Sequence, residues 1–114
     1  MQSISGDSLR GHLESLVLSV LERGPAHGRE VIRRLELAGC GALKLKEGTL
    51  YPALYRMEES RLLKAEWEDT PERQRGPRRR IYRLTPKGKR QLAAGRKEWQ
   101  EFVTVIGGIL GAAT

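Results

Sequence analysis

Apolar residues recur along this chain with a helical period, a strand period, and then a helical period again. Leu9, Leu13, Leu16, Val17, Val20 and Leu21 form one stripe of a first helix, which Asp7 or Ser8 can cap and Gly24-Pro25 stops. A second helix is predicted from about His27 to Ala38. Val31, Ile32 and Leu35 point inward, with Arg29, Arg33, Arg34 and Glu36 outward. Gly39 and Gly41 end it, because glycine tolerates the positive φ of many helix C-termini. The third helix covers about Lys46–Ser60, with Leu50, Leu54 and Met57 at i, i+4 and i+7. Pro52 lacks an N–H, which is harmless only in the first turn, so this helix starts near Gly48 or Thr49 or has a loose first turn.

The period then shortens. Leu62–Glu68 alternates as a strand, with Leu63, Ala65 and Trp67 on one face, and Arg78–Leu84 is its returning partner. Strand alternation places Arg78 and Arg80 with Tyr82 and Leu84, and Arg79 and Arg83 with Ile81. Asp69–Pro77 forms the turn. Thr85 caps a last helix with Pro86 in its first position, running to about Ala112. Leu92, Trp99 and Ile106 fall seven apart, as do Phe102 and Ile109, and Val103 and Leu110 widen this seam. So long an apolar helix exceeds what one small domain needs, and the inference is that it packs against a second copy. Gly95, Gly107 and Gly108 weaken it or permit close helix approach. The pattern is α+β, mainly helical. It is a winged helix-turn-helix over residues 7–85 with a C-terminal dimerisation helix over 86–112, forming one structural unit.

Charge turns this pattern into chemistry. The 114 residues carry a formal net charge of +7, which favours a polyanionic partner. That charge is clustered: Arg73–Arg90 holds nine basic residues and no acidic one. Arg73 and Arg75 lie at the wing tip, and Arg78, Arg79 and Arg80 follow. All five are candidates to neutralise phosphates, an interaction that makes affinity fall steeply with salt. On the third helix, Thr49, Tyr51, Pro52, Tyr55 and Arg56 lie opposite the core residues. Hydroxyls can donate to phosphate, tyrosine rings can press on sugar or thymine methyl, and Arg56 can pair with phosphate or with guanine. The tyrosines can equally complete the core. Lys44 and Lys46 precede the helix, where they flank a groove or a solvated turn.

Other chemistries are poorly supplied. His12 and His27 have no cysteine or carboxylate at metal-ligand spacing, so no metal site is expected. No Gly-rich phosphate loop follows a strand, and adjacent Glu58 and Glu59 point to different sides of a helix. No catalytic residue and no cofactor is expected. Cys40 is the single cysteine, which fits a reducing compartment and reads as a small, inert, partly buried thiol. The apolar stretch Phe102–Ala113 is shorter than the roughly 20 residues a bilayer needs, and no signal peptide is visible, so a cytoplasmic protein off the membrane is expected.

The chain resembles the PadR family of bacterial transcriptional regulators. The resemblance rests on GTLYPAL at Gly48–Leu54, RMEE at Arg56–Glu59 leading into Leu62-Leu63, RRRIYRLTPKG at Arg78–Gly88, and His27-Gly28 followed by Glu30-Val31. Two positions depart from the family pattern: Arg29 replaces an aromatic, and Arg61 stands where glycine commonly follows the recognition helix, so that turn must find another conformation or bear strain. The resemblance implies a homodimeric repressor that binds double-stranded DNA at a pseudo-palindromic operator. It implies groove reading through Thr49, Tyr51 and Pro52, and dimerisation through the last helix. It also implies a small aromatic effector at the dimer interface, where Trp99 occupies a comparable place. A winged-helix module for an acidic protein partner or structured RNA is the alternative.

Overall fold

The computed structural model describes residues 12–68 and 78–111. Asp7, Ser8, Leu9, the whole wing turn Asp69–Pro77 with Arg73 and Arg75, and Ala112 lie outside the described residues. Three helices, a two-stranded antiparallel sheet and a long fourth helix follow in order: α1 Leu13–Leu21, α2 Gly28–Ala38, α3 Glu47–Glu59, β1 Leu63–Trp67, β2 Arg80–Leu84 and α4 Pro86–Leu110. This is the mainly helical winged-helix architecture that the residue pattern predicts.

One core joins all six elements. Val17, Leu18, Val31, Leu50, Leu54 and Leu92 are its most deeply buried members, and Met57, Leu63 and Tyr82 close its wing side. Leu18 lies outside the predicted stripe of α1 yet is fully buried, because α1 is covered from several sides by α2, α3, α4 and β2. The loop from Ala42 to Lys46 alternates: Leu43 and Leu45 go into the core, while Lys44 and Lys46 stay in water. That period-two spacing of Leu43 and Leu45 is legible in the sequence.

Helix ends show local chemistry at work. His27 Nδ1 accepts the Glu30 backbone N–H at 3.2 Å and so caps α2. The end of α2 differs from expectation: Gly39 has φ −88°, and the positive values fall on Cys40 (54°) and Gly41 (79°). The Gly41 N–H reaches back to the Glu36 carbonyl at 2.9 Å, closing the C-terminal turn. Cys40 is thereby lifted into solvent and is exposed, not partly buried. Arg34 departs from the expected outward position too. Instead of pointing outward, its Nη1 donates to the carbonyls of Val20 and Gly24 at 3.1 and 2.8 Å, satisfying acceptors left over at the end of α1.

The α1–α2 linker is sewn to the wing. Ala26 and Tyr82 exchange backbone hydrogen bonds of 3.0 and 2.9 Å, adding a one-residue third strand to the hairpin. Thr85 Oγ1 accepts the Gly88 N–H at 3.0 Å, and its one proton is shared between the Arg61 and Leu62 carbonyls at 2.5 and 3.1 Å, so one hydroxyl caps α4 and ties it to the turn before β1. Gly88 rests directly on that same carbonyl, leaving no room for a Cβ. Further along, Gly95 lies against Ser15 of α1. The second half of α4 leaves the core altogether.

Candidate nucleic-acid interface

α3 begins at Glu47, so Pro52 is its sixth residue and not part of its first turn as the sequence suggested. The missing N–H leaves the Gly48 carbonyl without its intrahelical donor, and exposure of Gly48 and Pro52 lets water take that place. Leu50, Ala53, Leu54 and Met57 hold the helix to the core. Its outward arc then consists of Gly48, Thr49, Pro52, Tyr55 and Glu59, all exposed, with Tyr55 at 60%.

The remaining candidates divide around this arc. Tyr51 is half-buried on the α2 flank, its ring laid on Gly28, where any side chain would collide with it. Arg56 is exposed on the opposite flank. It lines an open groove of about 300 Å³ between α1, α3 and α4, together with Glu14, Glu98, Gln91 and Ser15. Lys44 and Lys46 are exposed just before the helix. Glu47 is engaged by Arg29 of α2 at 3.1 Å.

The wing arginines prove unequal. In the register Trp67 pairs with Arg80, Ala65 with Tyr82 and Leu63 with Leu84, so these six side chains share one face. Lys64, Glu66, Ile81 and Arg83 form the other face, where Glu66 meets Lys64 at 3.4 Å and Arg83 at 3.8 Å. Arg80 is turned toward α3 and donates to Glu58 at 2.6 Å, with its guanidinium 5.4 Å from the centre of the Trp67 ring. The Glu58 carboxylate holds the Arg80 guanidinium above its ordinary pKa. Burial pushes the Tyr82 hydroxyl up, and the nearby Glu58 charge adds to this.

Arg78 is half-anchored: Nε donates to the Glu68 carbonyl at 3.2 Å, and its guanidinium lies 6.0 Å from the Trp67 ring. Arg79 is different again. Its Nη1 comes within 3.3 Å of His27 Nε2. Because His27 Nδ1 already accepts from Glu30, the neutral ring carries its proton on Nε2 and presents a donor to a donor. Arg79 therefore gains no bond there, and its exposed guanidinium is available to an anion. Glu30 itself sits below the usual carboxylate range, mainly through its hydrogen bonds with Arg33.

The second exposed feature is apolar. Trp99, Phe102, Val103, Val105, Ile106, Ile109 and Leu110 stand in solvent on α4, the last two each 76% exposed. Trp99 stacks on Phe102 at 5.7 Å and meets the edge of His12 at 5.5 Å. Leu92 does not belong with them. It is fully buried in the head's own core, because the first turns of α4 pack on α1 and β2. The exposed seam thus starts at Trp99, one heptad later than the spacing alone implied. No described helix is long and apolar enough to cross a membrane.

A three-helix head with a β-hairpin wing, an exposed recognition-helix arc and exposed cations beside it defines a winged-helix nucleic-acid-binding protein. The model of the PadR-like family of transcriptional regulators matches residues 17–94, and the chain belongs to that family. It is accordingly a transcription regulator and not an enzyme. A transcriptional regulator of Mycobacterium tuberculosis is 35% identical over 83 residues, covering 72% of this chain and 71% of the relative. The structure of a transcriptional regulator from Clostridium thermocellum superposes with a TM-score of 0.80 at 30% identity, covering 92% of this chain and 96% of that one. A PadR-like transcription factor from Bacteroides fragilis gives 0.74 at 34% identity, with 90% and 95% covered.

Proposed function

We propose that this regulator is a cytoplasmic, homodimeric, sequence-specific DNA-binding repressor. The observation that carries the reading is the pairing of two exposed surfaces: the outward arc of α3, and the apolar stripe of α4. The arc is of a size to enter a major groove, and Thr49, Pro52 and Tyr55 face outward from it. Tyr51 contributes from the arc's edge and Arg56 from its other flank. Lys44, Lys46, Arg78 and Arg79, with Arg73 and Arg75 of the wing turn, supply phosphate contacts.

The stripe of Trp99, Phe102, Val103, Ile106, Ile109 and Leu110 is costly to leave in water, and a second copy of α4 removes it. Residues 7–85 then act as the reading head and 86–112 as the dimerisation arm. A two-fold axis through the arms presents two α3 helices to half-sites about one helical turn, roughly 10 bp, apart. The stacked Trp99–Phe102 pair supports a seat for a planar aromatic effector on that arm. Such a ligand would relieve repression by altering the angle between heads.

Selection of duplexes from a random pool tests this reading. The expected outcome is enrichment of a two-fold symmetric sequence. Weak, salt-sensitive binding with no preferred sequence would favour an acidic protein or RNA partner instead.

A further inference from the structure

We propose that Arg80 is not a DNA contact but a positioning residue: with Glu58 and Trp67 it forms a latch that sets the wing against the recognition helix. The proposal rests on the DNA-binding reading above. It concerns how the two parts of that surface are held in register.

Arg80 sits in a run of three consecutive arginines, and charge alone makes all three equal. The structure separates them. Arg80 reaches from β2 to α3 and meets Glu58 at 2.6 Å, with both side chains less than a third exposed. Its guanidinium also lies 5.4 Å from the ring centre of Trp67, its cross-strand partner. Its Nε is buried without a hydrogen-bond partner among the described residues. A group that gives up solvent at one nitrogen is kept in place by what the other nitrogens gain, here the charge-assisted bond to Glu58. A phosphate drawn to Arg80 would have to approach with the Glu58 carboxylate already bonded to the guanidinium, so the repulsion between the two anions opposes that contact. Arg79, which has no acceptor among the described residues, meets no such opposition.

The position matters because little else on this side joins wing to α3. Leu63 and Tyr82 pack into the core near the base of the hairpin. Towards the wing tip, Trp67 is 55% exposed and β1 ends there. Among the described residues, the Glu58–Arg80–Trp67 chain is the polar link between wing and α3 at that distal end. Losing it leaves the hairpin held by its base and by the Ala26–Tyr82 bridge, neither of which reaches α3 at the distal end, so the wing arginines lose their fixed offset from the groove-reading arc.

Two measurements test the latch. The first needs no DNA: amide hydrogen exchange of the full chain and of the isosteric variant Glu58→Gln. The latch predicts several-fold faster exchange confined to β1 and β2, with α1 and α2 unchanged. Unchanged wing exchange overturns it. The second is the salt dependence of affinity for the selected duplex. Arg80→Ala and Glu58→Gln should each weaken binding about ten-fold, the loss of one charge-assisted bond, with the slope of log K against log salt unchanged. A slope reduced by about one unit in Arg80→Ala, with affinity raised in Glu58→Gln, assigns Arg80 to phosphate and sinks the latch. If the wild-type chain selects no duplex, the DNA reading fails, while the exchange experiment still decides whether the latch exists.

Discussion

Two arginines with unusual surroundings illustrate how single residues carry weight here. Arg61 adopts φ 63°, a conformation that costs a side chain with a Cβ about 1–2 kcal/mol, because α3 must turn sharply into β1 there. Its neighbours over-determine the turn: the Leu62 N–H reaches the Met57 carbonyl at 2.9 Å, and the Thr85 hydroxyl is bonded to the Arg61 carbonyl. Arg61→Gly should therefore raise stability by about 0.5–1 kcal/mol, the strain relieved minus the extra entropy of unfolded glycine. Urea denaturation measures this, and a lower midpoint would contradict the strain. Among the described arginines of the wing, Arg79 has its guanidinium bonded to no acceptor. Arg79→Ala should weaken all duplexes alike and lower the log–log salt slope by about one unit. Loss confined to the selected duplex would argue against a phosphate role.

Elements in this fold are joined by close contacts at their ends. The N-terminus of α4 approaches β1 so tightly that the Gly88 position faces the Leu62 carbonyl with no space for a methyl. Gly88→Ala gains helix propensity but must push backbone away from backbone. A net loss of about 2 kcal/mol is expected from thermal melts. Midway along the same helix, Arg96 grips Glu22, the C-cap residue of α1, through two bonds of 2.9 and 3.2 Å. This hydrogen-bonded guanidinium lowers the Glu22 pKa from its usual 4.5. With the folded value depressed, the native state holds fewer protons than the unfolded one. The stabilisation is present above the ordinary value and disappears as pH falls through the folded one. Both side chains are half-exposed, so the effect is modest. Glu22→Gln should flatten the acid limb of stability against pH below about pH 5, and an unaltered limb would show that the pair contributes nothing.

For the whole molecule, the decisive asymmetry lies within α4. Its first turns belong to the head through Gly88 and Leu92, whereas from Phe102 onward its apolar side chains stand exposed. At ~1.5 Å per residue the 25-residue helix carries that apolar stripe well clear of the core. Under the dimer reading, Trp99→Ala should shift the sedimentation equilibrium toward monomer and weaken operator binding in parallel. Leu92→Ala should instead lower the melting temperature, since it opens a cavity in the head. A dimer unaffected by Trp99→Ala at low concentration would remove the seam from that role.

Periodicity and turn chemistry made much of this architecture legible before folding was considered. The switch from helical to strand spacing, the Thr85-Pro86 cap and the basic run after Arg73 are local signals, each set by a few neighbouring residues. Local signals also marked the outward arc of α3, since its core residues recur at fixed helical spacing. What they could not carry was partnership between distant residues. That Arg80 is spent on Glu58, that Arg34 closes the end of α1, and that Leu92 sinks into the head while Trp99 does not are all decided by packing of remote elements. Arg78, Arg79 and Arg80 are the same residue three times in a row, with the same charge and the same intrinsic propensities. Only the tertiary structure, by placing a carboxylate against one, a carbonyl against the second and a donor against the third, gives them different work.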